Sequence, residues 1–358
     1  MFVICMIFDG SICLFDVLCY ICLTVISNKT NMKQESSEEL LRRIHSYIEK
    51  LPYMHEPEGL YEPVEYVLGL GGKRIRPVLM LLAYNLYRED VDRIFPQAAG
   101  IETYHNFTLL HDDLMDKADM RRNKPTVHRK WDENTAILSG DAMLILAYQF
   151  MMQDCPAGCM KEVMGIFGRT ALEVCEGQQW DMEFESRTDV SVDEYIEMIR
   201  LKTSVLLAGS LKIGAVLGGA SEKDAQLLYD FGIKMGLAFQ LQDDYLDVYG
   251  DPAVFGKKIG GDILCNKKTF MLITALAHAG AGDRIELEKW IDAADFEPDQ
   301  KIRAVTDIYN KVGIAEMCNQ RISAYYEEGL RLLDEVEVDS ALKVNLRDFV
   351  CGMMKRKL

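Results

Sequence analysis

Basic residues are too few in this sequence for a nucleic-acid-binding surface. The chain has 40 lysines and arginines against 56 aspartates and glutamates, and its formal net charge is −16. A nucleic-acid surface requires clustered Lys and Arg, so no nucleic-acid partner is expected. An acidic chain can still bind a polyanion if a local cationic pocket or bridging metal ions neutralise the ligand.

Proline, strand patterns and internal repeats are also scarce. The 358 residues include only 9 prolines. No run of useful length alternates between polar and apolar residues, and no segment of about 20 to 50 residues repeats. Apolar residues instead recur at three and four positions, as in Leu40, Ile44 and Ile48, so we predict an all-α fold. Breaks between the helices are expected at 52–63, 69–77, 123–125, 250–261, 280–283 and 297–298.

Residues 1–31 differ from everything that follows them. This apolar stretch has no basic residues before its apolar run, has no small-residue cleavage site, and contains Asp9 and Asp16, which are costly at a bilayer centre. We interpret it as a leader outside the native fold, arising from a start codon assigned too far upstream, with a membrane anchor as the alternative. Residues 32–358 are predicted to form one domain of a cytoplasmic protein with reduced thiols.

An acidic pattern, Asp-Asp-x-x-Asp, occurs twice in apolar helical sequence. Its members are Asp112, Asp113 and Asp116, and then Asp243, Asp244 and Asp247. The first and last aspartates of each copy lie about 40° apart on a helix, so their carboxylates project together. Carboxylates packed so closely repel unless cations lie between them, and Mg²⁺ commonly binds through one or two carboxylates plus substrate phosphates. The duplicated pattern therefore predicts a metal site.

Several basic segments could bind the phosphates that such metals neutralise. The first is the turn Gly71-Gly72-Lys73-Arg74-Ile75-Arg76-Pro77, and the second is Arg121-Arg122-Asn123-Lys124-Pro125-Thr126. Further candidates are Lys202-Thr203, Lys257 and Lys267. Arginine pairs provide planar forks that match phosphate oxygens. Taken singly, the first turn and each of these lysines more often belong to an ordinary charged surface.

The segments GGKRIRP, HNFTLLHDDLMD, MRRNKPTVH, RLKTS, FQLQDDYLD and GGDILCNKKT occur in the order found in trans-isoprenyl diphosphate synthases. The resemblance extends from about Leu40 to near the C-terminus. It implies a helical bundle around a deep central cavity, and an enzyme that joins isopentenyl diphosphate head to tail to dimethylallyl, geranyl or farnesyl diphosphate. It also implies a homodimer without a membrane partner. Before the lysine of its last motif the family usually has glycine. This chain has Asn266 there, and asparagine tolerates a left-handed backbone better than most residues.

The resemblance also assigns roles to individual residues. The six aspartates are implied to hold about three Mg²⁺ ions, with Mn²⁺ as a substitute, and to act in catalysis with Lys202 and Arg121. Residues that match the isopentenyl diphosphate pocket are Lys73, Arg76, His105 and Arg122. Residues that match the allylic diphosphate site are Arg121, Lys202, Thr203, Gln240, Lys257 and Lys267.

Product length is implied by the residues that precede the first acidic motif. Phe107 and Thr108 match the floor of the tail pocket, and Tyr104 could act as a deeper stop. One aromatic residue beside a small one resembles synthases that stop at geranylgeranyl diphosphate, the C20 product. Farnesyl diphosphate and longer chains are the alternatives.

Two rival functions use the same helical class. The first is another enzyme of that class, a terpene cyclase or a head-to-head synthase; a cyclase would ordinarily replace the second acidic motif with an Asn/Ser/Glu metal motif and would not need the GGKRIRP pocket. A non-catalytic regulatory subunit should have lost acidic or basic groups. All six aspartates and the main cations are present here, which favours a chain-elongating enzyme.

Overall fold

The computed structural model describes residue 32 and residues 34–251 and 259–354. In this part of the chain the fold is all-α, as predicted, apart from one short hairpin. The leader at 1–31 and Lys257 lie outside the described residues.

The helices of the first half are α1 (Ser37–Glu49), α2 (Glu58–Gly69), α3 (Ile75–Asn85), α4 (Phe95–Met115), α5 (Val127–Lys130), α6 (Glu133–Met152) and α7 (Ala157–Ser186). Those of the second half are α8 (Val192–Ile199), α9 (Val205–Gly218), α10 (Glu222–Tyr249), α11 (Gly261–Leu264), α12 (Phe270–His278), α13 (Ala281–Asp292), α14 (Pro298–Val312), α15 (Ile314–Glu335) and α16 (Val344–Met354). The 3₁₀ turns are Val91–Ile94 and Ser340–Lys343, and a π-helical turn, Arg200–Ser204, joins α8 to α9. Strands β1 (Met120–Arg121) and β2 (Lys124–Pro125) pair antiparallel.

Side-chain caps determine where several helices begin. Ser191, Ser221 and Thr269 each accept a hydrogen bond from the backbone N–H three residues further on. Ser191 and Glu194 form a complete capping box, in which each side chain satisfies the other residue's backbone N–H. The Thr269 cap matters for the site, because it sets the start of α12 directly after the segment that carries Lys267.

The predicted break at 52–63 is wrong in its second half. Helix α2 begins at Glu58 and continues through Pro63. A proline inside a helix has no N–H to donate and normally ends or kinks it. Pro63 is buried in the core beside Val64 and Val67. Tertiary packing therefore overrides the local preference at this position.

Two clusters of buried apolar side chains form the core. One lies mainly among α1, α3, α4, α6 and α9, and the other among α8, α10, α12, α14 and α15. Helix α10 joins them, since it packs extensively against both α9 and α15. The two acidic motifs lie near the C-terminal ends of α4 and α10. Two long helices of the core therefore end at the candidate site.

Two helical segments have the length and apolar composition of a membrane span. Val192–Gly218 is 78% buried inside the fold and is a core segment. Glu133–Met152, which is α6, is only 33% buried, because Leu138 and Ile145 are each 60% exposed on its outer side. Length and composition alone are weak support for a span, and α6 is better described as a helix with one apolar face that this chain leaves uncovered.

Candidate functional site

The first acidic motif ends α4, and its middle aspartate faces inward. Asp113 is only 5% exposed, and its two carboxylate oxygens accept hydrogen bonds from Nε of Arg121 at 2.8 and 2.7 Å. Burial raises the pKa of Asp113 although Arg121 lowers it. Asp112 and Asp116 are more accessible. The motif thus presents two carboxylates outward and uses the third to orient an arginine.

The second acidic motif, in the last turns of α10, has a similar division. Asp244 is 4% exposed and accepts hydrogen bonds from the Tyr195 hydroxyl and from Nε2 of Gln240, the latter at 3.0 Å. Burial raises the pKa of Asp244. Asp247 accepts the backbone N–H of Asp262 at 2.9 Å. Asp243 is half-buried.

Two consecutive residues of the π-helical turn connect the two motifs. Lys202 donates to Asp112 at 3.3 Å and to Asp181 at 2.6 Å. Thr203 donates to Oε1 of Gln240 at 3.0 Å, and Gln240 in turn contacts the second motif. A π turn widens the helix by one residue and is frequent at functional sites. Both neighbours therefore reach the cleft, each toward a different acidic motif.

The π-helical turn is held by a very close approach of α7. A Cβ built on Gly177 would lie 2.3 Å from the backbone nitrogen of Lys202. Any larger residue at 177 would push α7 away from the turn, since real Cβ atoms do not make backbone contacts this short. Gly236 of α10 likewise allows a close contact, since a Cβ built on it would lie 2.6 Å from Cα of Ser204. Glycines on two helices thus clamp the segment that carries Lys202.

The segment that includes α11 contributes a further charged pair. Burial, with Asp244 and Asp247 nearby, raises the pKa of Asp262 to about 7, although Lys267 lowers it. Burial disfavours the charge on Lys267, but Asp262, Asp244, Asp181 and Asp112 together raise its pKa above the ordinary value. Lys267 therefore lies within electrostatic range of both acidic motifs.

The donor set at this cleft fits Mg²⁺. The facing groups are carboxylates, and Mg²⁺ prefers oxygen ligands, retains waters and commonly binds through one or two carboxylates plus substrate phosphates. Among residues 34–251 and 259–354, no three His, Cys, Asp or Glu side chains form a group that could hold a metal ion unaided. Carboxylates of this kind suit Mg²⁺ ions whose coordination is completed by a bound diphosphate.

A second cationic cluster lies beside the cleft and borders the cavity that extends from it. Arg76 on α3 contacts Nε2 of His105 on α4 at 3.0 Å. Burial, followed by the charges of Arg76, Arg122 and other arginines, holds the pKa of His105 well below 6.5, so the imidazole is neutral and accepts from Arg76. Arg122 donates to the carbonyl of Gly71.

The three cations of the GGKRIRP turn have different surroundings. Lys73 is exposed, whereas burial lowers the pKa of Arg76 to about 10. Arg74 is turned into the core, where it pairs with Glu102 at 2.7 Å and donates to the carbonyl of Leu68. Arg74 thus supports the turn, whereas Arg76 lines the cavity beside His105.

An apolar cavity of about 310 Å³ extends from the acidic cleft along α4. Asp112 and Lys202 lie at its polar end, and Phe107 and Thr108 line its wall. Tyr104 is fully buried behind Phe107, with ring centroids 5.5 Å apart. The predicted floor residues therefore lie in two layers, with only the first in contact with the cavity.

The structure also identifies site residues that the sequence patterns did not. Asp181 lies on α7 and pairs with Lys202, and Tyr195 on α8 holds Asp244. Asp262 approaches the second motif through its backbone. Asp181 and Tyr195 are isolated in sequence and carry no spacing signal. Asp262 falls inside the GGDILCNKKT segment, which could have drawn attention to it.

An all-helical fold with two acidic motifs at one end of an apolar cavity defines the class of helical enzymes that act on diphosphate esters. A family model described as polyprenyl synthetase matches residues 57–309. The chain belongs to this family of prenyltransferases, which use a divalent metal.

Individual relatives extend the comparison. The geranylgeranyl diphosphate synthase of Methanosarcina mazei is 37% identical over 293 residues, which cover 81% of this chain and 88% of that protein. A crystal structure of a geranylgeranyl pyrophosphate synthase is 43% identical with a TM-score of 0.86, covering 91% of this chain and 100% of that one. Another, the Corynebacterium glutamicum enzyme complexed with isoprenyl diphosphate and magnesium, is 27% identical with a TM-score of 0.78, covering 90% and 99%.

Proposed function

We propose that this chain joins isopentenyl diphosphate head to tail to allylic diphosphates and makes mainly geranylgeranyl diphosphate. The observation that carries the proposal is the link formed by Lys202 and Thr203 between the two acidic motifs at the polar end of an apolar cavity. A diphosphate held there has cations on its oxygens and an apolar channel for its prenyl tail. Neither a cyclase nor a binding subunit needs the adjoining Arg76 pocket.

The allylic diphosphate occupies the cleft between the ends of α4 and α10. The cations placed to meet its oxygens are Arg121, Lys202 and Lys267. About three Mg²⁺ ions, or Mn²⁺ in their place, would neutralise the leaving diphosphate as charge develops on it. The carboxylates best placed to hold those ions are Asp112, Asp116, Asp243 and Asp247. Asp113 and Asp244 orient Arg121 and Gln240, respectively.

Isopentenyl diphosphate lies at the second cationic cluster, with its diphosphate against Lys73, Arg76 and Arg122. Neutral His105 keeps the Arg76 fork oriented toward that ligand. The double bond of isopentenyl diphosphate attacks the allylic cation that forms when the first diphosphate leaves, and a proton is then lost to that diphosphate. The apolar walls exclude water, which would otherwise quench the cation.

Product length is set by the distance from the acidic cleft to the cavity wall at Phe107. Five residues of helix place this ring ~7.5 Å along the axis from Asp112. Thr108 leaves the wall open beside the ring, which favours C20 over C15. Lys257 remains a predicted contact to the allylic diphosphate, outside the described residues.

The enzyme is proposed to be a cytoplasmic homodimer, with the uncovered apolar side of α6 as the contact. Leu138 and Ile145 are two turns apart on this side and each is 60% exposed. Leu138→Lys combined with Ile145→Lys should yield a monomer by light scattering, since buried charges in an apolar contact are costly. Ile285→Lys is the matched control, because Ile285 is 67% exposed on α13. A dimer that survives the double substitution contradicts this interface.

The assay for the proposed activity is mass spectrometry of products formed from isopentenyl diphosphate with each allylic primer. Dimethylallyl, geranyl and farnesyl diphosphate should all be extended with Mg²⁺ present, and C20 should dominate. No condensation with any primer would contradict the proposed function, and a dominant C15 or longer product would contradict the proposed length.

A further inference from the structure

A buried lysine, Lys301, lies on α14 behind the candidate site. Only 1% of the surface of this residue is exposed to solvent. Its Nζ donates to Oδ1 of Asn266 at 2.7 Å, lies 3.5 Å from the carbonyl oxygen of Leu264 and is 4.2 Å from the ring centroid of Phe296. Within residues 34–251 and 259–354 no carboxylate forms an ion pair with it. Burial of an ammonium group is costly unless hydrogen bonds satisfy it, and here the polar partners are Asn266 and the carbonyl of Leu264.

Asn266 is the residue that this lysine fixes. Its φ of 54° is in the left-handed region, which asparagine tolerates better than most residues. Its amide also donates to the carbonyl oxygen of Ile291, at the end of α13, at 2.9 Å. The Asn266 side chain therefore connects α13 and α14, and its backbone orientation is set by both helices.

The next residue in the chain is Lys267. Its backbone N–H donates to the carbonyl of Asp262 at 2.9 Å, and its carbonyl accepts from the N–H of Thr269 at 2.8 Å. Lys267 and Lys301 both line one small cavity of about 10 Å³. The turn that presents Lys267 to the cleft is thus held from behind by Asn266 and Lys301.

We propose that Lys301 is a positioning residue, which acts through Asn266 to hold Lys267 against the allylic diphosphate. This inference rests on the proposed function, in which Lys267 contacts that diphosphate. An apolar side chain at 301 would fill the space but would leave Oδ1 of the half-buried Asn266 without its donor. The left-handed turn would then relax, and Lys267 would lose its fixed direction.

The first test is Lys301→Met, which keeps the length of the side chain and removes its donor. We expect kcat/KM for the allylic diphosphate to fall about tenfold, as when a supporting hydrogen bond behind a ligand-binding group is lost. The KM for isopentenyl diphosphate should stay unchanged, because Arg76 and Arg122 belong to other elements. Lys311→Met is the control, since Lys311 lies on the same helix but is exposed and pairs with Asp283.

The decisive measurement repeats Lys301→Met in a Lys267→Ala background. If Lys301 acts through Lys267, the second substitution should cause little further loss of kcat/KM. An equal loss in both backgrounds, or equal effects on both substrates, would overturn the proposal and leave Lys301 a purely structural residue.

A second variant guards against misfolding. Asn266→Gly keeps the left-handed backbone accessible but removes the amide that Lys301 holds. It should reproduce the kinetic defect of Lys301→Met, and the double variant should be no worse than either single one. Unchanged kinetics in Asn266→Gly would contradict the inference. A wild-type enzyme inactive in the same assay would instead contradict the proposed function.

Discussion

Replacing Phe107 with alanine tests the proposed control of product length. The Phe107 ring lines the cavity, and Tyr104 packs directly behind it. Tyr104 lies three residues earlier on α4, which is ~4.5 Å deeper along the helix axis. Removal of the first ring should therefore lengthen the cavity by enough for about one more isoprene unit, and the main product should shift from C20 to C25.

The substitution should also lower stability, because Phe107 is only 8% exposed and contacts Tyr104 and His111. Removal of a buried phenylalanine side chain typically lowers the free energy of unfolding by about 3 kcal/mol or more. The loss should be smaller here, because one face of the Phe107 ring already borders the cavity. Thermal unfolding should confirm that the variant remains folded at the assay temperature. Products are then identified by mass spectrometry with farnesyl diphosphate as primer.

Tyr104→Phe is the matched control. It removes only the hydroxyl that donates to the carbonyl of Ala171 at 3.0 Å, so the ring remains as the deeper wall and the product should stay C20. Phe107→Ala combined with Tyr104→Ala should give still longer chains. If Phe107→Ala makes the same or shorter products at normal rates, Phe107 does not limit the chain.

Four further results are expected. Activity should require Mg²⁺ or Mn²⁺, and Asp112→Ala should lower the rate ~100-fold, as loss of one strong electrostatic stabiliser does; full turnover in excess chelator refutes this. Arg76→Ala should raise KM for isopentenyl diphosphate more than KM for the allylic substrate, and equal increases contradict the pocket assignment. The folded state holds the pKa of His105 well below 6.5, so the free energy of unfolding should fall as the pH drops below that value. In urea titrations at pH 5 and pH 7, His105→Gln should reduce the difference in unfolding free energy between the two pH values. Deletion of residues 2–31 should leave an active enzyme, and an inactive, unfolded product would show that the leader is structural.

The acidic motifs were predictable because their geometry is local. The spacing of Asp112 and Asp116 puts both carboxylates on one side of any helix. The inward turn of Asp113 was not predictable, since it depends on Arg121, which arrives from the hairpin after α4. The same holds for Arg74, which is adjacent to Lys73 in sequence but is drawn into the core by Glu102.

The all-α fold followed from helical periodicity, but its irregularities did not. Pro63 lies inside α2 because the residues around it are buried. The π-helical turn depends on the close contact with Gly177, which is distant in sequence. Asp181 belongs to the site only because α7 crosses that turn. Each of these features is determined by packing between elements, which a single sequence does not display.

The π-helical turn at Arg200–Ser204 makes the chemistry sensitive to chain length at one point. Because such a turn holds one residue more than an α-helical turn, deletion of a single residue there would let α8 and α9 merge into one regular helix. The flanking helices would keep their register, but the residues left in the turn would be redistributed over the positions of a regular α-helix. Lys202 and Thr203 could then no longer face their separate partners. Loss of a single codon in this turn would therefore abolish the reaction, although the fold and the charged residues of the site would remain.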